Sequence, residues 1–448
     1  MLRKLLFGAI LICLSAACAH PGRTPSPPSW EPLSQSEQFA LREDWLAQKH
    51  ALLLPMMRKH GVGMWIVVHE EFSADPVTEF VAGPRPFAGN RDLFLFVDAQ
   101  EAGLAAYAIP AYTEEHLLRF FQVPHAPGEK DWQQKAVAAL VARHAPAKIA
   151  LAIGGDRGAQ RSLTHESYKF LVQALGPGAE ERFVSAGPLI EEYLDTRLPA
   201  EFPHYQRLVQ LTADLVARAF SSEVITPGTT TIGEVRRFLY DQVGRHGLST
   251  WFQPDLRLQR AGTPNPLPRG FLAVAPAAMV IQPGDLLHVD FGLTYLGLNS
   301  DYQRMAYVLR QGETQPPPGL TAALRNTIAL QDAVMSSARP GKSAAAVYEE
   351  AMAQMKARGI DAQIYSHPLG HHGHALGPSI DFRSTQQPAS QPLRPGSYLA
   401  VELNTRTAVP EWNGQQVFMM EEDPAHLTGE GYRFFVQRQQ ALLLIGGD

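Results

Sequence analysis

The sequence predicts an α/β (α+β) chain in two domains, and three observations carry that prediction. Its 448 residues exceed what one hydrophobic core usually organises. Short apolar runs alternate with segments of helical period from Trp45 to Leu175, the pattern of a wound sheet. Past residue 200, a helix, Pro-Gly turn, helix unit occurs twice, each time followed by strand-like sequence, as in a duplicated half-domain with pseudo-two-fold helix and strand units.

In order along the chain, Arg3 and Lys4 precede an apolar run from Leu5 to Leu14 and then small residues. That is the layout of a secretory signal, too short to span a bilayer. Leu14-Ser15-Ala16-Ala17-Cys18 resembles a bacterial lipobox, which would make residues 1–18 a lipoprotein signal and Cys18 the lipid-bearing N-terminus; the alternative is ordinary cleavage after Ala17-Cys18-Ala19, releasing a soluble protein. The expected location is therefore periplasmic or outer-membrane, with membrane contact through that anchor alone. Loss of Cys13 with the signal leaves at most one cysteine, so no intrachain disulfide forms and packing must supply stability. Residues 19–40, with the proline-rich Pro21–Pro28, read as a tether.

Within residues 41–200, strands are expected at Met64–Val68, Asp92–Val97, Leu104–Ile109 and Lys148–Ile153. Helices are expected up to Lys59, at Trp132–Arg143 and at His165–Leu175. Leu194–Pro203 marks the boundary with a second domain, 201–448. There Pro227-Gly228 separates helices Tyr205–Phe220 and Ile232–Arg245, and Pro340-Gly341 separates Leu320–Met335 and Ala344–Arg358. A composition of 45% hydrophobic and 19% charged residues suits an ordinary globular enzyme. A formal net charge of −5 gives no reason to expect a nucleic-acid partner.

The residues suited to chemistry lie in the second domain. Leu286–Asp301 reads as a β-hairpin carrying Asp290 and Asp301, two carboxylates that a divalent cation would reconcile on an apolar surface. Four histidines, His367, His371, His372 and His374, fall within eight residues rich in glycine, and imidazole is the commonest metal ligand near neutral pH. Glu402 interrupts the apolar run Tyr398–Leu403, where an unpaired charge is costly. Glu421 and Glu422 end another strand, on opposite faces. In chain order, Asp, Asp, His, Glu, Glu would offer four carboxylates and one imidazole to two divalent ions. The set suits Mn²⁺ first, with Co²⁺, Zn²⁺ or Fe²⁺ as alternatives, and hydrolysis is the chemistry such a pair performs.

That order, with the two aspartates eleven positions apart, resembles the pita-bread metallopeptidases, the family of creatinase, prolidase, aminopeptidase P and methionine aminopeptidase. The resemblance implies a creatinase-like α/β N-terminal domain and a C-terminal pita-bread domain. It also implies metal ligands at Asp290, Asp301, His374, Glu402 and Glu421, with Asp301 and Glu421 bridging. His374 is preferred to His371 for its Gly-His-x-x-Gly context, and Glu421 to Glu422 for the apolar residue before it. The family's usual histidine upstream of the first aspartate is missing between His246 and His288, and Asp381 stands where another is usual. Those departures leave proton transfer to His367 and His371, with Tyr302 nearby. The activity implied is hydrolysis of the Xaa-Pro bond of dipeptides or peptide N-termini, with metal-bound hydroxide as nucleophile and a homodimer as the expected assembly. The rivals are a creatinase-like amidinohydrolase and a catalytically silent, lipid-anchored metal-binding homologue.

Overall fold

The computed structural model describes residues 30–84, 89–124, 131–268, 271–386 and 391–446. The expected signal, Cys18 and the Pro21–Pro28 tether lie outside them. The last residues of the expected linker, 35–40, are helical rather than extended chain. Ser34 caps helix α1 (Gln35–Lys59) in a box with Glu37, satisfying the first free N–H groups of the helix. Just before it, the Trp30 ring packs edge-on to Tyr295, whose hydroxyl accepts from the Leu33 N–H.

The first sheet contains β1 (Met64–Glu70), β2 (Arg91–Asp98), β3 (Leu104–Ile109), β4 (Ile149–Leu151) and β5 (Phe183–Ser185), in the order β3-β2-β1-β4-β5. Around it lie α1, the short α2 (Thr78–Val81), α3 (Trp132–His144), α4 (His165–Leu175) and α5 (Gly187–Asp195). Strand alternation divides its side chains between two cores. Met64, Ile66 and Val68 of β1 pack with α3 and α4, while Trp65 and Val67 pack with α1 and α5. Burial on both faces makes these strands continuous apolar runs. The sheet is less uniformly wound than expected. β4 and β5 run parallel to β1, but β1, β2 and β3 pair antiparallel, in the case of β2 and β3 because the link 99–103 is too short for a crossover.

The second unit opens with α6 (Phe202–Ala219), α7 (Ile232–Arg245), β6 (Asp255–Gln259) and β7 (Leu286–Phe291). A small hairpin, β8 (Thr294–Tyr295) and β9 (Leu298–Asn299), leads into β10 (Tyr302–Val308). Then come α8 (Pro318–Ser337), α9 (Ala344–Ala357), β11 (Asp361–Leu369), β12 (Ile380–Asp381), β13 (Tyr398–Val409), β14 (Gln415–Thr428), β15 (Gly431–Phe434) and β16 (Leu443–Ile445). The sheet runs β12-β11-β13-β14-β10-β7-β6, with β15 on β14 and β16 on β10. The duplication is plain in the helix pairs. Gly228 and Gly341 sit at φ of 82° and 81° in the two Pro-Gly turns, a left-handed conformation that glycine adopts without penalty. Thr231 and Ser343 then cap the second helix of each pair.

Alternation also fixes the faces of this sheet. Leu287, Val289 and Phe291 of β7 join the core with α6 and α7, and Leu399, Val401 and Leu403 of β13 join the core with α8 and α9. Asp290 and Glu402, one position out of step, therefore face away from the helices.

Candidate metal centre

Four strands and one turn bring acids and imidazoles together on that open face. In the β7–β10 pair Asp290 lies directly opposite Gln303. Asp301, just before β10, is the diagonal neighbour of Asp290 rather than its direct partner, which still leaves the two side chains within reach. Glu422 of β14 lies opposite both Gln303 of β10 and Glu402 of β13, and His367 comes from β11. The His367 Nε2 atom is 3.4 Å from Asp301 Oδ2, 3.4 Å from Glu422 Oε1 and 3.7 Å from Glu402 Oε2. Three overlapping groups have mutually close donor atoms: Asp301, His367 and His374; His367, Glu402 and Glu422; Asp290, Asp301 and Glu422.

The electrostatics of this cluster are unfavourable as they stand. Burial, then the charges of Asp301 and Glu402, lifts the Asp290 carboxyl well above its ordinary pKa. Burial, then Asp301, Glu402 and Asp290, does the same to Glu422. Burial pushes Glu402 up to about 7 against the pull of His367. For His367 burial acts downward, but its contact with Asp301 and the charges of Asp301 and Glu402 outweigh it and leave the imidazole raised. Asp290 Oδ1, Asp301 Oδ1, His367 Nε2 and both Glu422 oxygens are buried with no hydrogen-bond partner among the described residues. Buried acceptors facing one another without donors fit bound divalent cations, which would satisfy them and cancel their repulsion.

Asp290, Asp301 and Glu402 stand together, as the sequence led one to expect. Glu421 does not join them. It lies on the helix-facing side of β14, with Oε2 3.5 Å from Arg304 Nη1, and Glu422 takes the place on the open face. His367, expected as a proton carrier, sits among the carboxylates, and its ring belongs to two of the three close groups. His374, expected as a ligand, is exposed at the mouth, its ring 4.6 Å from that of His367 and 5.3 Å from that of Trp251. Partial burial and the facing His367 pull its pKa down to about 4. His371 points elsewhere: its ring stacks on Phe80 of α2 at 4.0 Å, with Nε2 3.8 Å from Glu201. Tyr302 lies under the Arg304 guanidinium on the helix side. The sequence reading missed Gln303, whose place two residues after Asp301, on the same strand face, was the available signal.

A cleft of about 930 Å³ reaches Ala375, next to His374, and separates Arg157, Gln160 and Glu191 of the first unit from Ser379 and Arg383 of the second.

Residues 204–434, just over half the chain, match the model of metallopeptidase family M24. No curated protein matches the chain. The fold is similar to that of an X-Pro aminopeptidase from Thermotoga maritima MSB8, with a TM-score of 0.65 and 16% identity over 87% of this chain and 99% of that one. An Xaa-Pro dipeptidase from Bacillus anthracis gives a TM-score of 0.62 and 19% identity over 89% and 99%. The N-terminal domain of the FACT complex subunit SPT16 from Cicer arietinum (chickpea) gives 0.63 and 11% over 91% and 99%. At such identities the likeness is one of fold, and the family match carries the assignment: the chain belongs to metallopeptidase family M24.

Proposed function

We propose that the chain is an exported, lipid-anchored peptidase that hydrolyses Xaa-Pro bonds through a pair of divalent cations held by Asp290, Asp301, His367, Glu402 and Glu422. The observation that carries this reading is the set of buried, unpartnered carboxylate and imidazole atoms on the open face of the sheet. Divalent cations, if held by these residues, would supply Lewis acidity to an attacking water and to the scissile carbonyl. His374 is the imidazole placed to move protons at the mouth, beside His367 and against Trp251. The cleft that reaches Ala375 admits the peptide. Cleavage before proline is the activity in the names of the two bacterial neighbours, and it is extended here to this chain. Manganese is the first metal to try, because the donors are mostly hard carboxylate oxygens.

The test is hydrolysis of Ala-Pro and of a longer Ala-Pro-Xaa peptide by metal-stripped protein, before and after adding Mn²⁺, Co²⁺ or Zn²⁺. Metal-restored cleavage before proline is expected, and the ratio of the two rates separates a dipeptidase from an aminopeptidase. Full metal loading without turnover of either peptide would overturn the proposed substrate and leave a silent metal-binding homologue as the better reading.

A further inference from the structure

The open face of the second sheet is acidic only in part. By strand alternation Leu286 shares it with Asp290, Met305 with Gln303, and Met420 with Glu422, and these three apolar side chains are buried. The segment after β6 helps to cover them. Leu272 of that segment, 2% exposed, lies in one apolar core with all three. Arg257 of β6 holds it there, donating from Nη1 to Leu272 O at 2.6 Å while its other nitrogens pair with Asp255. The Ala275 N–H then bonds Leu256 O at 2.9 Å, so the segment is fixed on both sides of Leu272.

Phe271, the residue before Leu272, is left 46% exposed, with its ring edge-on to that of Tyr365 at 5.8 Å. β6 and β11 lie near opposite ends of the strand order, so this contact carries the segment across the open face as a roof. Tyr365 stands two residues before His367 on β11, on the same face and about 7 Å along the strand. Its hydroxyl accepts from Asn404 Nδ2 at 3.1 Å, and Asn404 stands two residues after Glu402 on β13. The exposed ring therefore borders the acidic cluster. A peptide with its scissile carbonyl at the cluster would bring a neighbouring side chain to that ring, since each residue of extended chain spans about 3.5 Å. Apolar atoms are what an aromatic face buries against most favourably. We propose that Phe271, with Tyr365 behind it, is a specificity-determining contact for an apolar side chain next to the scissile bond, either that of the N-terminal residue or the proline ring. The inference rests on the proposed peptidase activity and adds a substrate preference to it.

The experiment compares wild type, Phe271→Ala and Phe271→Leu, each loaded with Mn²⁺ to the same content and checked for fold by circular dichroism. Rates are measured on Gly-Pro, Leu-Pro and Leu-4-hydroxyproline, and on the same three peptides extended by a C-terminal alanine. In wild type kcat/KM should favour Leu-Pro by about tenfold over Gly-Pro or over Leu-4-hydroxyproline, the lower end of what one methylene in an apolar pocket is worth. Phe271→Ala should flatten that preference, and Phe271→Leu, which keeps an apolar contact, should retain most of it. Loss of the Leu-over-Gly ratio would place the N-terminal side chain on Phe271, and loss of the proline-over-hydroxyproline ratio would place the proline ring there. A wild type indifferent in both comparisons, or a Phe271→Ala variant that keeps both preferences, would overturn the inference while leaving the peptidase reading standing. No cleavage of any of these peptides by Mn²⁺-loaded wild type would overturn both.

Discussion

At the scale of single residues, adjacent glutamates on β14 have opposite fates. Glu422 faces Asp301, Glu402 and His367, whereas Glu421 faces Arg304 and shares it with Asp423. Glu422→Gln removes a charge from the cluster, and its effect on metal affinity should exceed the roughly 10–100-fold that an outer-shell change costs, with activity falling alongside. Glu421→Gln should keep wild-type metal content and activity. Burial already drives the Glu421 carboxyl well above its ordinary pKa, so a neutral isostere changes little there. Metal analysis of the two purified variants checks this, and metal loss from Glu421→Gln with retention in Glu422→Gln would reverse the assignment. Sequence could not choose between them. Val417, Phe418, Met419 and Met420 are all buried, so β14 shows none of the polar and apolar alternation that tells an open face from a covered one. Asp290 and Glu402 were legible because each interrupts an apolar run where an unpaired charge is expensive, and Asp301 because a hairpin brings it near Asp290.

At the scale of elements, the histidine segment is two structures rather than one. His367 lies on β11, in register with Ala400 of β13, while His371 to His374 occupy the turn beyond it. Pro368 concealed this, since proline lacks a ladder donor and reads as the end of a strand. The glycine-rich context around His374 was legible, but it marks a close approach of backbone to an aromatic ring. A Cβ on Gly373 would overlap the Trp251 indole, which is itself held by its N–H donating to Ser300 O at 2.8 Å. Gly373→Ala should therefore displace the turn that carries His374 and leave β11 in place. The expected result is wild-type metal content with kcat lowered by about 10–100-fold, the cost of misplacing a reacting group by about 1 Å. Loss of metal in that variant would mean that the turn, not the strand, supplies the metal histidine. The helix pairs were easier to read, because capping residues and Pro-Gly turns are local signals that need no knowledge of register.

At the scale of the whole molecule, the two units meet through buried charge. Arg394 pairs with Asp195 at 2.6 Å, and Phe80 stacks on His371. Lys49 of α1 donates to the carbonyls of Tyr193 and Thr196 at the end of α5. Two units were legible from length and pattern, but this junction was not. Lys49, Arg197 and Glu201 are buried there, to 3%, 8% and 1% exposure, and nothing in their local sequence marks them for burial. Burial, then the Arg197 charge, brings the Lys49 amine down to about 7 from an ordinary 10.5, against the opposing pull of Glu201 and Asp195. Between those pH values the unfolded chain holds a proton that the folded chain has released, so stability rises with pH by up to about 1.4 kcal/mol per unit. Below about 7 both states hold the proton and this dependence ends; above 10.5 neither does, and the full contribution is present. Lys49→Met removes the titration, whatever it costs to leave the two carbonyls without their donor. Chemical denaturation of both proteins at equal metal loading should show wild type gaining on the variant from pH 7 to pH 10 and running parallel to it from pH 5 to pH 7. Parallel curves across the whole range would mean that Lys49 keeps its proton in the folded junction and that the two units pack around a permanent buried cation.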